Sequence, residues 1–338
     1  MNTVLMWLLG AILWLFTPLA SLSSNAWAQV PPGCVPGPLG TQFADVTGDG
    51  KADAIVINTA GITVRRSDGT KFLPNESWTT NPYYGNVGTY FADATGDGKA
   101  DAIVVNWDKI TVRRSDGAKF LPNESWTTNP YYGSKGTHFS DVTNDGRADA
   151  IVINADKVTV RRSDGTTFLP NESWTTTPYY GYVPYIYEGV SLADVTGDRA
   201  TDAIVVNTNK VTVRRSDGTT FLPNESWTTG PYYGNFGTYF ADVTGDGKAD
   251  AIISNTTGIT VRRSDGTTFL SNESWTTNQY SGSVGTYFAD VTGDGKADAI
   301  VVNTDKVTVR RSDGTKFLPN ESWTTSPYYG DYYPSCIN

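Results

Sequence analysis

The sequence predicts an all-β protein, a closed β-propeller of six four-stranded blades. Three observations lead to this fold class. The 338-residue chain is rich in turn-forming and aromatic residues, with 34 Gly, 17 Pro, 19 Tyr and 10 Trp. One segment recurs six times, and each copy holds four short strand-like runs and no helical periodicity. Cys34 and Cys336 stand near the two ends of this array, which suits a ring whose ends meet.

The first 28 residues have the features of a removable signal peptide. Val4 to Phe16 is nearly all apolar, and Ala26-Trp27-Ala28 gives a small-x-small cleavage pattern. The apolar run is shorter than the roughly 20 residues that span a bilayer, although an uncleaved anchor is the alternative. We therefore expect residues 29–338 to form one exported domain, secreted or periplasmic, with no stable membrane insertion. In an oxidising compartment Cys34 and Cys336 are expected to form a disulfide.

The repeats align on an Asp-Gly loop whose first Asp recurs at steps of 48, 48, 53, 48 and 48 residues. The longer step reflects an insertion around residues 182–189. Four strands in each copy fit a propeller blade. A seven-blade closure and an open solenoid are the alternatives, but a solenoid usually needs atypical capping repeats. The six copies span about residues 40–86, 87–134, 135–187, 188–235, 236–283 and 284–332.

Copy two illustrates the four strands. The first contains Tyr90, and the second, Ala102–Val105, is apolar on both faces, as expected of a strand covered on each side. The third, Ile110–Arg113, alternates and ends at a Ser-Asp-Gly turn. The fourth runs from Phe120 to Trp126 and contains a proline, which predicts an outer edge strand. One arginine of each Arg-Arg pair is expected to balance a neighbouring acid.

Each copy contains Asp-x-Thr-x-Asp-Gly-x-x-Asp or a close variant. Carboxylates at positions 1, 5 and 9, a hydroxyl at 3 and a backbone carbonyl at 7 supply the oxygen ligands that calcium prefers. We expect up to one Ca²⁺ per copy, with the fourth site distorted or empty because Arg199 replaces the glycine of position 6. A simple Asp-Gly turn is the alternative. The predicted ligands are Asp45, Thr47, Asp49, Lys51, Asp53, Asp93, Thr95, Asp97, Lys99, Asp101, Asp141, Thr143, Asp145, Arg147, Asp149, Asp194, Thr196, Asp198, Asp202, Asp242, Thr244, Asp246, Lys248, Asp250, Asp290, Thr292, Asp294, Lys296 and Asp298.

These loops, followed by Ile-Val and by Val-Arg-Arg-Ser-Asp-Gly, resemble FG-GAP/VCBS-type repeats over about residues 40–330. The resemblance implies calcium-binding propeller repeats, such as those of integrin alpha chains and of some fungal and bacterial propeller lectins. The sequence departs from that pattern by having Thr at loop position 3, no Gly-Ala-Pro segment, and six copies where many relatives have seven blades.

Each copy also carries Asn-Glu-Ser-Trp-Thr-Thr, and five copies end in Pro-Tyr-Tyr-Gly. An aromatic ring beside carboxylate, amide and hydroxyl groups suits a sugar, and repetition adds avidity. Blade-to-blade packing is the alternative for the tryptophans. The candidate ligand-binding residues are Trp78, Tyr84, Trp126, Tyr132, Trp174, Tyr180, Trp227, Tyr233, Trp275, Tyr280, Trp323 and Tyr329. The asparagines are formal N-glycosylation acceptors, at Asn75, Asn123, Asn171, Asn224, Asn272 and Asn320.

Charge and motif content narrow the function. The net charge of −9 argues against a nucleic-acid partner. The single histidine, His138, occupies a position that varies between copies, and no catalytic signature is present, so we expect no enzyme. The sequence predicts a secreted, calcium-binding propeller that binds glycans or glycoconjugates multivalently. The alternative is an adhesion or scaffold propeller that binds an extracellular protein and has no sugar site.

Overall fold

The computed structural model describes residues 40–330 apart from 184–186, and the backbone of four two-residue strands outside that range. Residues 1–21, most of the predicted signal peptide, lie outside the described residues, so that prediction is untested. The strands are, in chain order, β1 (Leu22–Ser23), β2 (Trp27–Ala28), β3 (Cys34–Val35), β4 (Gly40–Ala44), β5 (Asp53–Asn58), β6 (Gly61–Arg65), β7 (Glu76–Ser77), β8 (Gly88–Ala92), β9 (Asp101–Val105), β10 (Ile110–Arg113), β11 (Glu124–Ser125), β12 (Gly136–Ser140), β13 (Asp149–Ile153), β14 (Val158–Arg161), β15 (Glu172–Ser173), β16 (Gly181–Val183), β17 (Tyr187–Gly189), β18 (Ser191–Ala193), β19 (Asp202–Val206), β20 (Val211–Arg214), β21 (Glu225–Ser226), β22 (Gly237–Ala241), β23 (Asp250–Asn255), β24 (Gly258–Arg262), β25 (Glu273–Ser274), β26 (Gly285–Ala289), β27 (Asp298–Val302), β28 (Val307–Arg310), β29 (Glu321–Ser322) and β30 (Ser335–Cys336).

The strands form six blades, each an antiparallel sheet of four strands in sequence order, beginning with β4–β7 and ending with β26–β29. The predicted six-blade, all-β architecture is confirmed. The insertion after blade three forms a hairpin of β16 and β17. Among the residues that the structure describes, there is no helix with the length and apolar character of a membrane span.

Strand chemistry explains the order within a blade. All five residues of β9 are buried, because this strand is covered by a neighbouring blade on each side. In contrast, β11 has only two residues, one of them exposed, and follows Pro122. Proline has no N–H for a ladder bond, so the sheet ends at this edge.

The register defines two faces of the propeller. Ala92 pairs with Asp101 at one end of blade two, and Gly88 pairs with Val105 at the other. We call the first end the loop face, because it carries the Asp-Gly loops and the Ser-Asp-Gly turns. The opposite end is the turn face, which carries the connections between the second and third strands and the Pro-Tyr-Tyr-Gly segments.

The ring closes between blade six and blade one. Val302 and Trp323 of blade six share a buried cluster with Ala54, Val56 and Phe72 of blade one. The backbone N–H of Ala52 donates to the carbonyl of Asp290 at 2.7 Å, and the equivalent bond is present at each of the five remaining junctions. An open solenoid would leave the first and last repeats without this shared core, so the closed ring predicted from the sequence is confirmed.

The six repeated tryptophans pack between blades. Their relative exposure is between 0 and 3%. Each indole makes an edge contact, at 5.1 Å between ring centroids, with a phenylalanine of the next blade. Of the two roles that the sequence left open for these residues, the structure shows packing. The pairs are Trp78–Phe120, Trp126–Phe168, Trp174–Phe221, Trp227–Phe269, Trp275–Phe317 and Trp323–Phe72.

The chain ends also meet. β3 pairs antiparallel with β30, and Cys34 stands opposite Cys336 in the register. Opposed residues of such a pair have Cα atoms about 4.5–5.5 Å apart, which is within the range of a disulfide. The side chains of both cysteines lie outside the described residues, so the disulfide stays a prediction.

Candidate functional site

The first aspartate of each Asp-Gly loop holds the loop in shape. In blade one, Asp45 Oδ1 accepts a hydrogen bond from the N–H of Gly48 at 2.7 Å, and Oδ2 accepts one from Gly50 at 2.7 Å. The hydroxyl of Thr47 also donates to Asp45 Oδ1, at 3.2 Å. The backbone of Gly50 has φ of +80°, a conformation that glycine adopts without strain.

A lysine of the loop forms an ion pair with the second aspartate of the loop. Lys51 Nζ lies 2.8 Å from Asp49 Oδ2, and the Lys51 N–H donates to Asp49 Oδ1 at 3.0 Å. Partial burial raises the pKa of Asp49, but these bonds to Lys51 outweigh it and hold the pKa below its usual range. Four other loops contain the same ion pair, between Lys99 and Asp97, Arg147 and Asp145, Lys248 and Asp246, and Lys296 and Asp294.

The last aspartate of the loop faces the blade interior. Asp53 is fully buried and accepts hydrogen bonds from the N–H groups of Ser67 at 2.9 Å and Val46 at 3.2 Å. Burial raises its pKa to about 7, although these two hydrogen bonds oppose the shift. The predicted carboxylate ligands therefore have separate partners within the protein.

The carboxylates of the loops have hydrogen-bond and ion-pair partners within the protein. Within residues 40–330, as far as the structure describes them, no group of three or more His, Cys, Asp or Glu side chains is placed to hold a metal ion. Asp49 is paired with Lys51, and Asp53 points into the blade. The assignment of calcium to the six loops stays a prediction.

The fourth loop keeps the fold of the others with a different residue. Arg199 has φ of +74° where the other loops have glycine, and its N–H still donates to Asp194 Oδ2 at 2.7 Å. Ala200 occupies the position of Lys51, so this loop lacks the Lys–Asp pair. Arg199, which was predicted to distort the loop, therefore keeps the hydrogen bond to Asp194. Its backbone conformation is strained for a residue with a side chain.

A second repeated constellation lies at the junctions between blades. At the first junction, Tyr83 from the end of blade one is buried, and the guanidinium carbon of Arg113 from blade two lies 4.4 Å from its ring centroid. The Tyr83 hydroxyl donates to Asn123 Oδ1 at 2.9 Å. These residues meet at the seam between two blades, and we call the surface formed by Asn81, Tyr83, Arg113 and Asn123 at this seam an inter-blade groove. Equivalent Arg–Tyr pairs lie at distances of 4.6–4.8 Å, namely Arg65–Tyr328, Arg161–Tyr131, Arg214–Tyr179, Arg262–Tyr232 and Arg310–Tyr280.

The two arginines of each Arg-Arg pair have different partners, because neighbouring residues of a strand point to opposite faces. Arg114 donates through Nε and Nη2 to Glu124 Oε2, at 3.1 and 3.0 Å. The expectation that one arginine balances a nearby acid is thus met. Arg113 forms no ion pair in the described structure, and its buried Nε has no hydrogen-bond acceptor there.

This missing acceptor recurs at all six junctions. The Nε atoms of Arg65, Arg161, Arg214, Arg262 and Arg310 are likewise buried without a partner among the described residues. A buried donor left without an acceptor costs about 1–3 kcal/mol, which stacking on the tyrosine ring offsets in part. Each groove thus contains a half-buried guanidinium that forms no ion pair with a carboxylate of the described residues.

Polar groups line the groove beside the arginine. Asn81 and Asn123 are exposed, and at the third junction Arg214 Nη2 donates to Thr177 Oγ1 at 3.3 Å. The position of Thr177 is variable among the junctions, whereas the asparagine equivalent to Asn123 is present in all six. The residues at the variable position are Asn81, Asn129, Thr177, Gly230, Asn278 and Ser326.

The second tyrosine of each Pro-Tyr-Tyr-Gly segment lies on the rim of the turn face. Tyr84, Tyr132 and Tyr329 are 38, 41 and 38% exposed, while Tyr180 and Tyr233 are partly buried. Tyr280 aligns with the first tyrosine of the other copies and is buried beneath Arg310. We call the buried tyrosines beneath the arginines the groove floor. Tyr280 belongs to this floor, and Ser281 takes the rim position in copy five.

Sequence reasoning included only one of the six groove-floor tyrosines, Tyr280, and none of their arginines. A signal was present, because the arginine pair recurs on an alternating strand with only one glutamate nearby in each copy. Which tyrosine of the pair is buried depends on contacts with the next blade, and the repeat sequence does not show them.

Comparison with known proteins agrees with this architecture. A family model described as FG-GAP-like repeat matches residues 45–104, 94–152, 194–253 and 242–301, which is more than half of the chain. The chain belongs to the FG-GAP-like repeat family. No curated protein matches it significantly in sequence.

Solved structures show the fold of this FG-GAP-like protein in other settings. An Agrocybe aegerita lectin, described as recognising non-reducing terminal N-acetylglucosamine, is 24% identical with a TM-score of 0.59. The match covers 85% of this chain and 81% of the lectin. The Photorhabdus luminescens Tc holotoxin pore is 16% identical with a TM-score of 0.56, over 79% of this chain and 13% of that one. At these identities the similarity extends to the fold alone.

Proposed function

We propose that this FG-GAP-like protein is an exported, multivalent glycan-binding propeller that holds sugars in its six inter-blade grooves. The observation that carries the proposal is the half-buried arginine of each groove, stacked on a buried tyrosine and without a carboxylate partner among the described residues. Its remaining N–H groups are suited to donate to sugar hydroxyls or to an acetamido carbonyl.

The neighbouring groups supply the rest of a sugar site. Exposed asparagines such as Asn81 and Asn123 both donate and accept hydrogen bonds, which matches the paired character of sugar hydroxyls. The exposed ring of Tyr84 gives an apolar face against which sugar C–H groups stack. The fold similarity to a lectin described as recognising terminal N-acetylglucosamine supports N-acetylated sugars as the first ligands to test.

The ring geometry favours branched or clustered glycans over free sugars. A single groove with one arginine and one or two amide side chains is expected to bind a monosaccharide weakly. Once one groove has bound a sugar of a branched or clustered glycan, the other five grooves on the same ring are held close to its remaining sugars. This raises avidity by about 10²–10⁴ where the spacing of the sugars matches that of the grooves.

The proposal is tested with glycan arrays and calorimetry on the full chain, produced in bacteria so that the Asn-Glu-Ser sites stay unmodified. A triple variant, Arg65→Gln with Arg161→Gln and Arg262→Gln, removes the arginine from alternate grooves. We expect the number of sugar sites per chain to fall by about half, because three grooves stay intact.

The matched control changes three exposed turn residues in the same blades. Thr70→Ala, Thr166→Ala and Thr267→Ala copy the alanine that blade two has at this position, Ala118. This control should keep all sites. Unchanged stoichiometry in the folded arginine variant, or no binding by the wild-type protein to any glycan, would overturn the proposal and favour a protein partner.

A further inference from the structure

One aromatic side chain breaks the six-fold pattern at the surface. Trp107 is 67% exposed, and it is the one exposed tryptophan among the side chains that the structure describes. It lies on the turn face in a tight turn between β9 and β10, in which the Asn106 N–H donates to the Lys109 carbonyl at 2.9 Å. The equivalent residues in the other blades are Thr59, Ala155, Thr208, Thr256 and Thr304.

The turn itself does not require a tryptophan. Threonine and alanine form the equivalent turn in five blades, so the indole is not needed for local folding. Leaving a large apolar side chain in water forgoes about 1.5–3 kcal/mol of burial, and an exposed aromatic with polar neighbours is typical of a binding surface. The turn that carries Trp107 also contains the polar residues Asn106 and Asp108.

A hydrogen bond connects this turn to the first inter-blade groove. The N–H of Asn86 donates to Asn106 Oδ1 at 3.1 Å. Asn86 follows the rim residue Tyr84 by two positions, and Tyr84 directly follows the groove floor Tyr83. The turn that carries Trp107 is therefore hydrogen-bonded to the segment that follows the rim tyrosine of this groove.

We infer that Trp107 forms a second sugar subsite, so that the groove between blades one and two binds two consecutive sugar units where the other grooves bind one. This inference rests on the proposed function. The indole stacks on the C–H face of the second unit, and Asp108 accepts hydrogen bonds from its hydroxyls. The protein would then have one groove that prefers an oligosaccharide.

Tryptophan fluorescence of the full chain tests the inference, with N-acetylglucosamine and its β1,4-linked dimer as probes. The signal lost in Trp107→Thr identifies the contribution of Trp107, and iodide quenching measures its exposure. We expect the dimer to protect Trp107 from iodide and the monomer to leave it accessible. In calorimetry, Trp107→Thr should weaken the tightest class of dimer sites about 3- to 10-fold without changing monomer binding.

A gain-of-function variant supplies the matched control. Ala155→Trp places tryptophan in the corresponding turn of blade three, whose neighbours Asp156 and Lys157 repeat Asp108 and Lys109. That turn is bonded to the adjacent connection in the same way, with Ser134 N–H donating to Asn154 Oδ1 at 3.1 Å. We expect this variant to gain a second dimer-preferring site.

The outcomes separate the two proposals. Monomer binding with no protection of Trp107, and equal dimer affinity in Trp107→Thr, would overturn the subsite and leave the inter-blade grooves standing. If neither probe binds to the wild-type protein, the subsite for N-acetylated sugars is overturned. The glycan array then tests the proposed function separately.

Discussion

The guanidinium of Arg113 in blade two lies 4.4 Å from the ring centroid of Tyr83, which belongs to the end of blade one. Burial raises the pKa of Tyr83, so its hydroxyl stays protonated and donates to Asn123. One contact thus serves two purposes. It holds adjacent blades together, and it places a positive charge in a groove at their junction.

Copy five offers a test of the rim tyrosines. Ser281 replaces the exposed tyrosine there, so we expect the groove between blades five and six to bind sugar more weakly than the groove that contains Tyr132. Ser281→Tyr should raise its affinity about 2- to 10-fold, because an aromatic face is restored. Calorimetry with a single glycan measures this, and Tyr132→Ser is the reciprocal control. If both variants bound the glycan with the affinity of the wild-type protein, the rim tyrosines would not be part of the sugar site.

The two kinds of tryptophan should differ sharply in their effect on stability. Trp126→Ala removes a fully buried indole that packs on Phe168, which is expected to cost about 3–5 kcal/mol in the free energy of unfolding. Trp107→Thr changes an exposed side chain and should alter stability by less than about 0.5 kcal/mol. Denaturant unfolding of both variants checks the contrast, and similar losses would contradict a packing role for Trp126 between blades.

The loops are expected to be stable without a metal ion. Because Lys99 is paired with Asp97 at 2.8 Å, excess chelator should leave the melting temperature of the wild-type protein unchanged. Lys99→Met keeps the side-chain stem and removes the charge, and we expect it to cost at most about 1 kcal/mol, since the pair is partly exposed. Differential scanning calorimetry with and without Ca²⁺ makes the measurement. A chelator-induced drop that Ca²⁺ reverses would show instead that the loops rearrange to bind calcium as predicted from the sequence.

His138 should make the fold sensitive to mild acid. It lies half-buried on β12, and loss of hydration lowers its pKa from 6.5 to about 4. The unfolded chain therefore binds a proton below about pH 6.5 that the folded chain does not bind until about pH 4. The stability contribution is full above pH 6.5 and falls as the pH drops toward 4, by at most about 3 kcal/mol.

His138→Tyr isolates this effect, because tyrosine occupies the same position in three blades, as Tyr90, Tyr239 and Tyr287. The difference in unfolding free energy between variant and wild type should grow as the pH falls from 6.5 to 4. Subtraction removes the contribution of the buried aspartates, which is common to both proteins. A difference that is constant over this range would show that His138 titrates normally.

The ring follows from features that can be read in one repeat and its copies. Six copies with four strand-like runs and no helical period can bury their apolar second strands only against one another, and β9 and its equivalents do so. Arg113 is the last residue of β10 and Arg114 directly follows it, so the extended chain likewise directs their side chains to opposite faces. Strand periodicity and repetition are local properties of the chain, so the sequence was sufficient to predict both features.

The side chains that remain available for a ligand depend instead on tertiary packing. Trp78 and Tyr84 are both repeated aromatics, yet the first is covered by Phe120 of the next blade and the second is exposed. Asp53 points inward because Ser67 and Val46 supply its hydrogen bonds, so its place in the motif was not enough to assign its role. Contacts between blades join residues that are far apart in the sequence, such as Trp323 and Phe72. Burial at those junctions depends on the packing of neighbouring sheets, which the sequence of a single repeat does not contain.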